Sequence, residues 1–363
     1  MIRSFIINKY LFNEFLKTIR NTTLLFFSLG FVLDLFEEIN FFKDFDISLY
    51  LPILMSALYI PSLLYKMFPF IVLLSGIWFF IKIKKSDEVT AMKVSGMSNL
   101  SIILIPGIAA VALGILIITA LNPISSVLVK KYENIKGKYE KDLDYLAAIT
   151  SNGIWIKEKI LGKNTIIRSV NLKDKNLMAL TIYEFNEDMN FIKRIEAESA
   201  DISSFEWQIK NAKIINSEGE IIEDDIKILS YKSTYNLEKI KSLYSNLDTI
   251  SFWSIDNQIK ILKNRGYSTK EMEAKLHRSF AYPFFLLSMV LLSGVFTLGT
   301  NLKDNNLVYI FITIITSVVI YFFNDLSSVM GKTEKIPIEI SVWMPIVIIF
   351  IFGTVGAIHA NQK

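Results

Sequence analysis

The sequence predicts an α-helical membrane protein with six transmembrane helices and an external all-β domain inserted between helices three and four. Three observations carry that prediction. Of 363 residues, 52% are hydrophobic and 20% charged, whereas a soluble globular chain carries roughly 45 to 50% apolar and about 25% charged residues. The charges are segregated, leaving gaps long enough for a helix to cross about 30 Å of hydrocarbon. Between the third gap and the fourth lies a long polar stretch in which apolar residues recur at alternate positions.

The spans follow in chain order. Thr22 to Leu33 is apolar and is extended by amphipathic flanks from Phe12 to Phe42, while Leu51 to Ile83 is apolar except for Lys66 and, at its very end, Lys82. No charge interrupts the chain between Lys93 and Lys130, and the centre of that gap, Ile102 to Leu121, makes span three. The gaps from Arg278 to Lys303, Asp304 to Asp325 and Glu339 to Lys363 place spans near Ser279 to Leu298, Leu307 to Phe323 and Ile340 to Ala357. A signal peptide is a poor reading of span one, because no small-residue cleavage site follows it and Asp34, Glu37 and Glu38 stand there instead. The expected division is residues 1–121 for spans one to three, 122–275 for the external domain and 276–363 for spans four to six.

Orientation follows from the short loops. Arg3, Lys9, Lys17 and Arg20 precede span one, and Lys82, Lys84, Lys85 and Lys93 follow span two, whereas the loop between them carries Asp34, Glu37, Glu38, Asp44 and Asp46 against Lys43. Lysine and arginine favour the cytoplasmic side, so both termini are expected there and residues 122–275 outside. Trp78 and Trp343 fall where interfacial aromatics belong.

The external stretch reads mostly as strands. Phe205, Trp207 and Ile209 alternate with Glu206, Gln208 and Lys210, and Ile195 and Ala197 alternate with Arg194, Glu196 and Glu198. Turn signals at Asn152-Gly153, Asn186-Glu187-Asp188 and Asn216-Ser217-Glu218-Gly219 bound the runs, as an all-β sandwich or open roll requires. Leu177 to Phe185 is apolar on both faces and is expected to be a central strand. Helical pattern returns at Ser254, which can cap a helix carrying Ile255, Ile259 and Leu262 that stops at Gly266. Ser268 and Glu271 then form a capping-box pair that opens the helix of span four.

Several chemistries are excluded by inventory. With no cysteine and only His277 and His359, thiolate metal sites, disulfides, cysteine nucleophiles and HExxH metalloprotease helices are absent from the sequence. No metal site and no catalytic residue is expected. Gly331-Lys332-Thr333 resembles the end of a phosphate loop, but the glycine that loop needs five positions earlier is Leu326. The net charge of +4 is small and mixed, which leaves no nucleic-acid footprint. The chain therefore reads as a part that borrows energy from a partner.

The informative inner loop is Lys84 to Ser98. Ser86 can cap a short helix at about 86–96, Asp87 and Glu88 suit the positive end of its dipole, Gly96 suits its stop, and Ser98 can start span three. Glu88, Ala91, Met92 and Ser95 fall at i, i+3, i+4 and i+7, a narrow stripe that fits a partner's groove. The plainer reading is a solvated loop helix whose acid only caps it.

These residues also carry a resemblance. Ser75-Gly76 through Asp87-Glu88, Ala91-Met92 and Ser95-Gly96-Met97 resembles the second-span and coupling-helix region of the LptF/LptG family, the permeases of the lipopolysaccharide-export ABC transporter. Gly153-Ile154-Trp155-Ile156-Lys157 and Ile182-Tyr183-Glu184-Phe185-Asn186 resemble the opening strands of that family's periplasmic β-jellyroll, and Ala281-Tyr282-Pro283-Phe284 the start of its fourth span. The strand patterns incline to the LptG type over the LptF type. The resemblance implies a multi-pass protein of a bacterial inner membrane, paired with a paralogous permease on two cytoplasmic ATPase subunits. It also implies that lipopolysaccharide or a related glycolipid passes through the β domain to a periplasmic bridge protein. ATP and Mg2+ would belong to the partner ATPase, with no cofactor on this chain. Asp87, Glu88, Ala91, Met92, Ser95 and Gly96 would couple to that ATPase, and spans one and five would line the lipid gate.

One departure from the family pattern stands out. Where LptG-type proteins can carry lysines near the outer end of span one, this sequence has Asp34, Glu37 and Glu38, which would repel a phosphate unless a divalent cation bridged them. The reading favoured for these acids is that they end the span at the interface. Ile154, Ile156, Ile182, Ile195, Trp207 and Ile209 are the candidates to line an apolar conduit in the β domain, the alternative for each being an ordinary core. Two rival functions fit the same layout: an ABC-family mechanotransmission subunit, which typically has four spans, and a non-transporting membrane scaffold.

Overall fold

The computed structural model describes residues 2–139, 146–150, 153–160, 163–173, 175–187, 189–237, 240, 246–264, 269–299, 306–333 and 335–359. The turn at Asn152, Asp188, the stop at Gly266, the cap at Ser268 and the charges at Lys303 and Asp304 lie outside the described residues. Two compact units emerge. One comprises Met1–Asn134, Asp248–Ile255 and Lys270–Lys363, and the other Ile135–Leu247 with Asp256–Thr269.

The first unit is helical: α1 (Ile2–Phe42), α2 (Tyr50–Lys85), α3 (Glu88–Val94), α4 (Asn99–Leu116), α5 (Asn122–Lys136), α7 (Lys270–Leu298), α8 (Asn306–Lys332) and α9 (Ile338–His359), with α6 (Ile255–Asn264) between α5 and α7 in sequence. Among the described residues, five helices are long and apolar enough to cross a membrane: Tyr50–Lys85, Asn99–Lys136, Lys270–Leu298, Phe311–Gly331 and Ile338–His359. α1 is not among them. Its apolar run from Thr22 to Leu33 would rise about 18 Å before Asp34 interrupts it, short of a full crossing.

Span three is longer than expected. α4 passes through a π-helical turn, Ile117–Leu121, and continues as α5, so the first residues assigned to an external domain are helix. Likewise α8 runs to Lys332, which places Gly331-Lys332 at a helix end rather than in a loop. α7 is the central helix, packed on α2, α4 and α9. Without a hydrophobic drive between helices in lipid, small residues let backbones approach. Gly76 shows this in α2: a Cβ there would lie 2.1 Å from Ser293 Oγ of α7.

The second unit is one antiparallel sheet of eight strands in the order β1-β2-β3-β5-β6-β7-β8, with β4 paired on β5. The strands are β1 (Leu146–Thr150), β2 (Gly153–Ile160), β3 (Lys163–Ser169), β4 (Asn171–Lys173), β5 (Asn176–Phe185), β6 (Phe191–Asp201), β7 (Glu206–Asn216) and β8 (Ile221–Lys232). β5 is central, as its apolar character predicts. Register lines up one row of isoleucines across five strands, Ile156, Ile167, Ile182, Ile195 and Ile214, and β-branched neighbours of this kind stabilise a sheet.

Period-two alternation does not hold along the whole of each strand. In β5 the buried positions step from Leu177 to Leu180 across Ala179, and in β7 from Ile209 to Ala212 across Asn211; both skipped residues have positive φ, 49° and 52°. Asp225 of β8 does the same at 60°, and Asn211 Nδ2 donates to Glu198 Oε2 of β6 at 2.6 Å. A crease thus crosses the sheet. Left-handed residues re-aim the side chains and bend the strands, which keeps the same face apolar on both sides of the bend.

Buried acid chemistry closes the sheet's edge. Glu158 is fully buried, and its Oε2 accepts from Ser233 Oγ, Thr234 N and Thr234 Oγ1 at 2.8 to 2.9 Å. Burial and the Glu158 charge push the Tyr231 hydroxyl above its usual range. Trp207 Nε1 donates to the Tyr235 carbonyl at 2.7 Å, satisfying the polar end of a large buried ring.

Candidate functional site

The short helix α3 forms where the sequence places it, with one change at its start. Asp87, not Ser86, is the residue preceding the helix; it takes a left-handed φ of 57° and makes no side-chain cap. Ser86 ends α2 instead, its Oγ donating to Lys82 O at 3.0 Å and to Glu88 Oε1 at 2.9 Å. At the other end Gly96 adopts φ 89°, with Gly96 N on Lys93 O and Met97 N on Met92 O at 2.9 and 3.1 Å. That pair of bonds is a Schellman stop, for which a residue without Cβ is favoured. Ser98 Oγ accepts from Ser101 N at 3.1 Å and starts α4.

The predicted stripe does not form one exposed face. Met92 is 6% exposed and packs with Val89 into the main helical core, and Glu88 is half-buried with Tyr10 of α1 beside it. Ala91, Ser95, Gly96 and Asp87 face solvent, joined by Thr90, Lys93 and Val94, the last 85% exposed. Around α3, Glu14 of α1 bridges Lys17 and Lys82 at 2.6 and 2.7 Å, and Lys84 Nζ donates to the Thr297 carbonyl at the end of α7. These bonds tie α1, α2 and α7 together beside α3, which itself is held by Val89 and Met92 in the helical core and by Glu88 against Ser86 and Tyr10.

The three acids of α1 also separate. The helix runs through them to Phe42, as the amphipathic flank of span one predicts. Asp34 and Glu38, one turn apart, are buried, and Glu37 is exposed on another face. Tyr132 of α5 donates its hydroxyl to Glu38 Oε1 at 2.7 Å, and the Tyr59 ring of α2 lies 5.1 Å from the Tyr132 ring. Asp34 and Glu38 serve packing between α1, α2 and α5 rather than forming a surface cluster with Glu37.

All six conduit candidates, Ile154, Ile156, Ile182, Ile195, Trp207 and Ile209, are 2% exposed or less and belong to one packed cluster with Tyr235 and Ile240. The sequence argument does bring them together on one face. In this conformation that face is a filled core.

Sequence reasoning passed over the cavity of the helical unit. A space of about 320 Å³ opens where α7 and α9 begin and α8 ends, lined by Tyr65, Lys66, Arg278, Tyr282, Asn324 and Asp325 among others. Tyr65 and Tyr282 stack at 5.0 Å with rings 10° apart, and Tyr282 Oη donates to the Tyr65 carbonyl. Lys66 pairs with Asp248, which also accepts from Ser62 Oγ at 3.4 Å; Arg278 donates to Ser328 Oγ. Two cations beside an aromatic wall can hold an anionic group next to an apolar one. The signal was present in Lys66, the single charge in the run from Leu51 to Ile81.

Spanning helices and an antiparallel β unit inserted mid-chain define a multi-pass membrane protein with a β domain. The chain belongs to the lipopolysaccharide export system permease LptF/LptG family, whose model matches residues 9–359. It is thereby a permease of that export system, a non-catalytic transporter subunit of the inner membrane. No match was found among curated proteins.

Proposed function

We propose that this chain is one half of the membrane part of a lipopolysaccharide exporter, of the LptG type, working beside a paralogous permease on two cytoplasmic ATPases. The cavity at Lys66 and Arg278 seats a phosphate of the glycolipid head group, and the exposed face of α3 takes the ATPase. The observation that carries the reading is the family match over nearly the whole chain, and the two cations that line the cavity beside its aromatic wall support it. α1 completes a set of six spans, supported by the exposed apolar side chains Leu24, Leu29, Leu33 and Phe36 along it. α8, whose Phe311, Ile315, Val319 and Phe322 are equally exposed, faces the partner permease and lipid with it. Both termini are cytoplasmic and the β unit periplasmic, where its creased sheet forms half of a jellyroll that hands lipid to a bridge protein. Five spanning helices besides α1 favour this over a four-span mechanotransmission subunit.

The test is reconstitution. Purified alone, the chain hydrolyses no ATP; with its paralogue and ATPase in proteoliposomes, it releases lipopolysaccharide only while ATP is turned over. ATPase activity that followed the isolated chain, or release without ATP, would defeat the proposal.

A further inference from the structure

The residues from Asp248 to Ile255 lie in the helical unit, yet the chain on either side of them, up to Leu247 and from Asp256, belongs to the β unit. Among the described residues, four polar contacts hold this strap, besides the packing of Phe252 on Phe280. Asp248 pairs with Lys66 and accepts from Ser62. Lys275 Nζ donates to the Ile250 carbonyl, Phe252 N donates to Asn122 Oδ1 at 2.8 Å, and Trp253 Nε1 donates to the Thr119 carbonyl inside the π turn at 3.0 Å. Three of the four holds are uncharged acceptors met by a donor. The Asp248 hold alone engages a side chain that also lines the cavity.

On the reading of that cavity as a head-group seat, we infer that Asp248 is an internal counter-ion standing in for the lipid's phosphate, so that head-group binding and release of the strap are a single exchange. A phosphate monoester brings up to two negative charges and three acceptor oxygens to an ammonium that now meets one carboxylate. Lys66 cannot satisfy both at full strength. As the phosphate takes Lys66, Asp248 loses that ion pair and the first anchor of the strap weakens, although Lys275 also feels the Asp248 charge. The strap continues by sequence into β-unit segments at both ends, so entry of the head group is transmitted along the chain itself.

The chain is placed in nanodiscs of phosphatidylcholine with and without bisphosphorylated lipid A, and lipid affinity and hydrogen–deuterium exchange over residues 247–255 are measured. Inorganic phosphate at millimolar concentration forms a separate arm. Lipid A should raise exchange in the strap of the unmodified chain, and free phosphate should not. Asp248→Asn should tighten lipid A binding about fivefold, the size of one partly exposed ion pair, and abolish the lipid-induced exchange. Lys66→Gln should weaken binding and make Asp248→Asn without effect. If Lys66→Gln weakens binding but the unmodified strap does not loosen, the exchange is overturned and the seat stands. Unchanged affinity in Lys66→Gln overturns both, and strap release by free phosphate overturns the lipid as its source.

Discussion

A charge within a long apolar helix is accommodated where a neighbouring group of opposite charge meets it, as Asp248 meets Lys66. Outside the helical unit, Asp201 is governed by the same rule with smaller stakes. Its carboxylate meets Lys175 Nζ at 2.7 Å and accepts from the Ser203 hydroxyl and amide, which together lower its pKa from 3.8 to about 2. A depressed folded-state value stabilises the fold above about pH 4, and that contribution disappears as the pH falls through about 2. Asp201→Asn should therefore cost about 1 kcal/mol at neutral pH and nothing near pH 2. Denaturation of the full chain in micelles, followed by the β-sheet circular dichroism signal at several pH values, measures the difference. A penalty that stayed constant with pH would show that geometry, not ionisation, holds this turn.

At the scale of elements, α3 was legible in nearly every local feature, because caps and stops are decided by residues within one turn. What the stripe could not reveal was which face is already taken. Burial of Met92 and Val89 depends on a core that includes Leu11 and Phe15 of α1, far away in sequence, and periodicity is silent about neighbours. On the proposed function the docking face is the one left exposed, with Val94, Ala91 and Ser95. Val94→Asp is expected to weaken association with the ATPase about tenfold while leaving membrane insertion unchanged, since an exposed apolar residue at an interface centre is worth that order. Glu88→Ala is expected to act differently, by loosening α3 from Ser86 and Tyr10, so its defect should appear as lowered stability of the isolated chain. Co-purification with the ATPase and thermal unfolding of the chain alone separate the two. Equal loss of association in both, without a change in stability, would restore Glu88 to the contact surface.

At the scale of the molecule, the gaps between charges located the spanning helices well because hydrocarbon excludes charge over a fixed thickness. The continuation of span three through a π turn escaped, since residues 122–136 lose the apolar signal while keeping helix, and so did the crease in the sheet, which rests on single residues of left-handed φ such as Ala179 and Asn211.

The β unit sets the remaining problem. A lipid tail exposed to water costs about 0.8 kcal/mol per methylene, so a carrier domain must offer an apolar path, yet the side chains suited to line one are packed together around Trp207 and Ile182. A filled core admits no acyl chain, and the sheet has to open along some line before lipid enters. If lipid takes the proposed route through this unit, the crease from Ala179 through Asn211 to Asp225 is the expected line of opening, because non-glycine residues of positive φ carry conformational strain there. A photo-crosslinking residue at Ile182 or Trp207 should therefore capture only protein in the isolated chain and should capture glycolipid in the assembled transporter while ATP is hydrolysed. Capture without ATP would mean that the face is open at rest, and failure to capture during active export would remove this face of the sheet from the lipid's route.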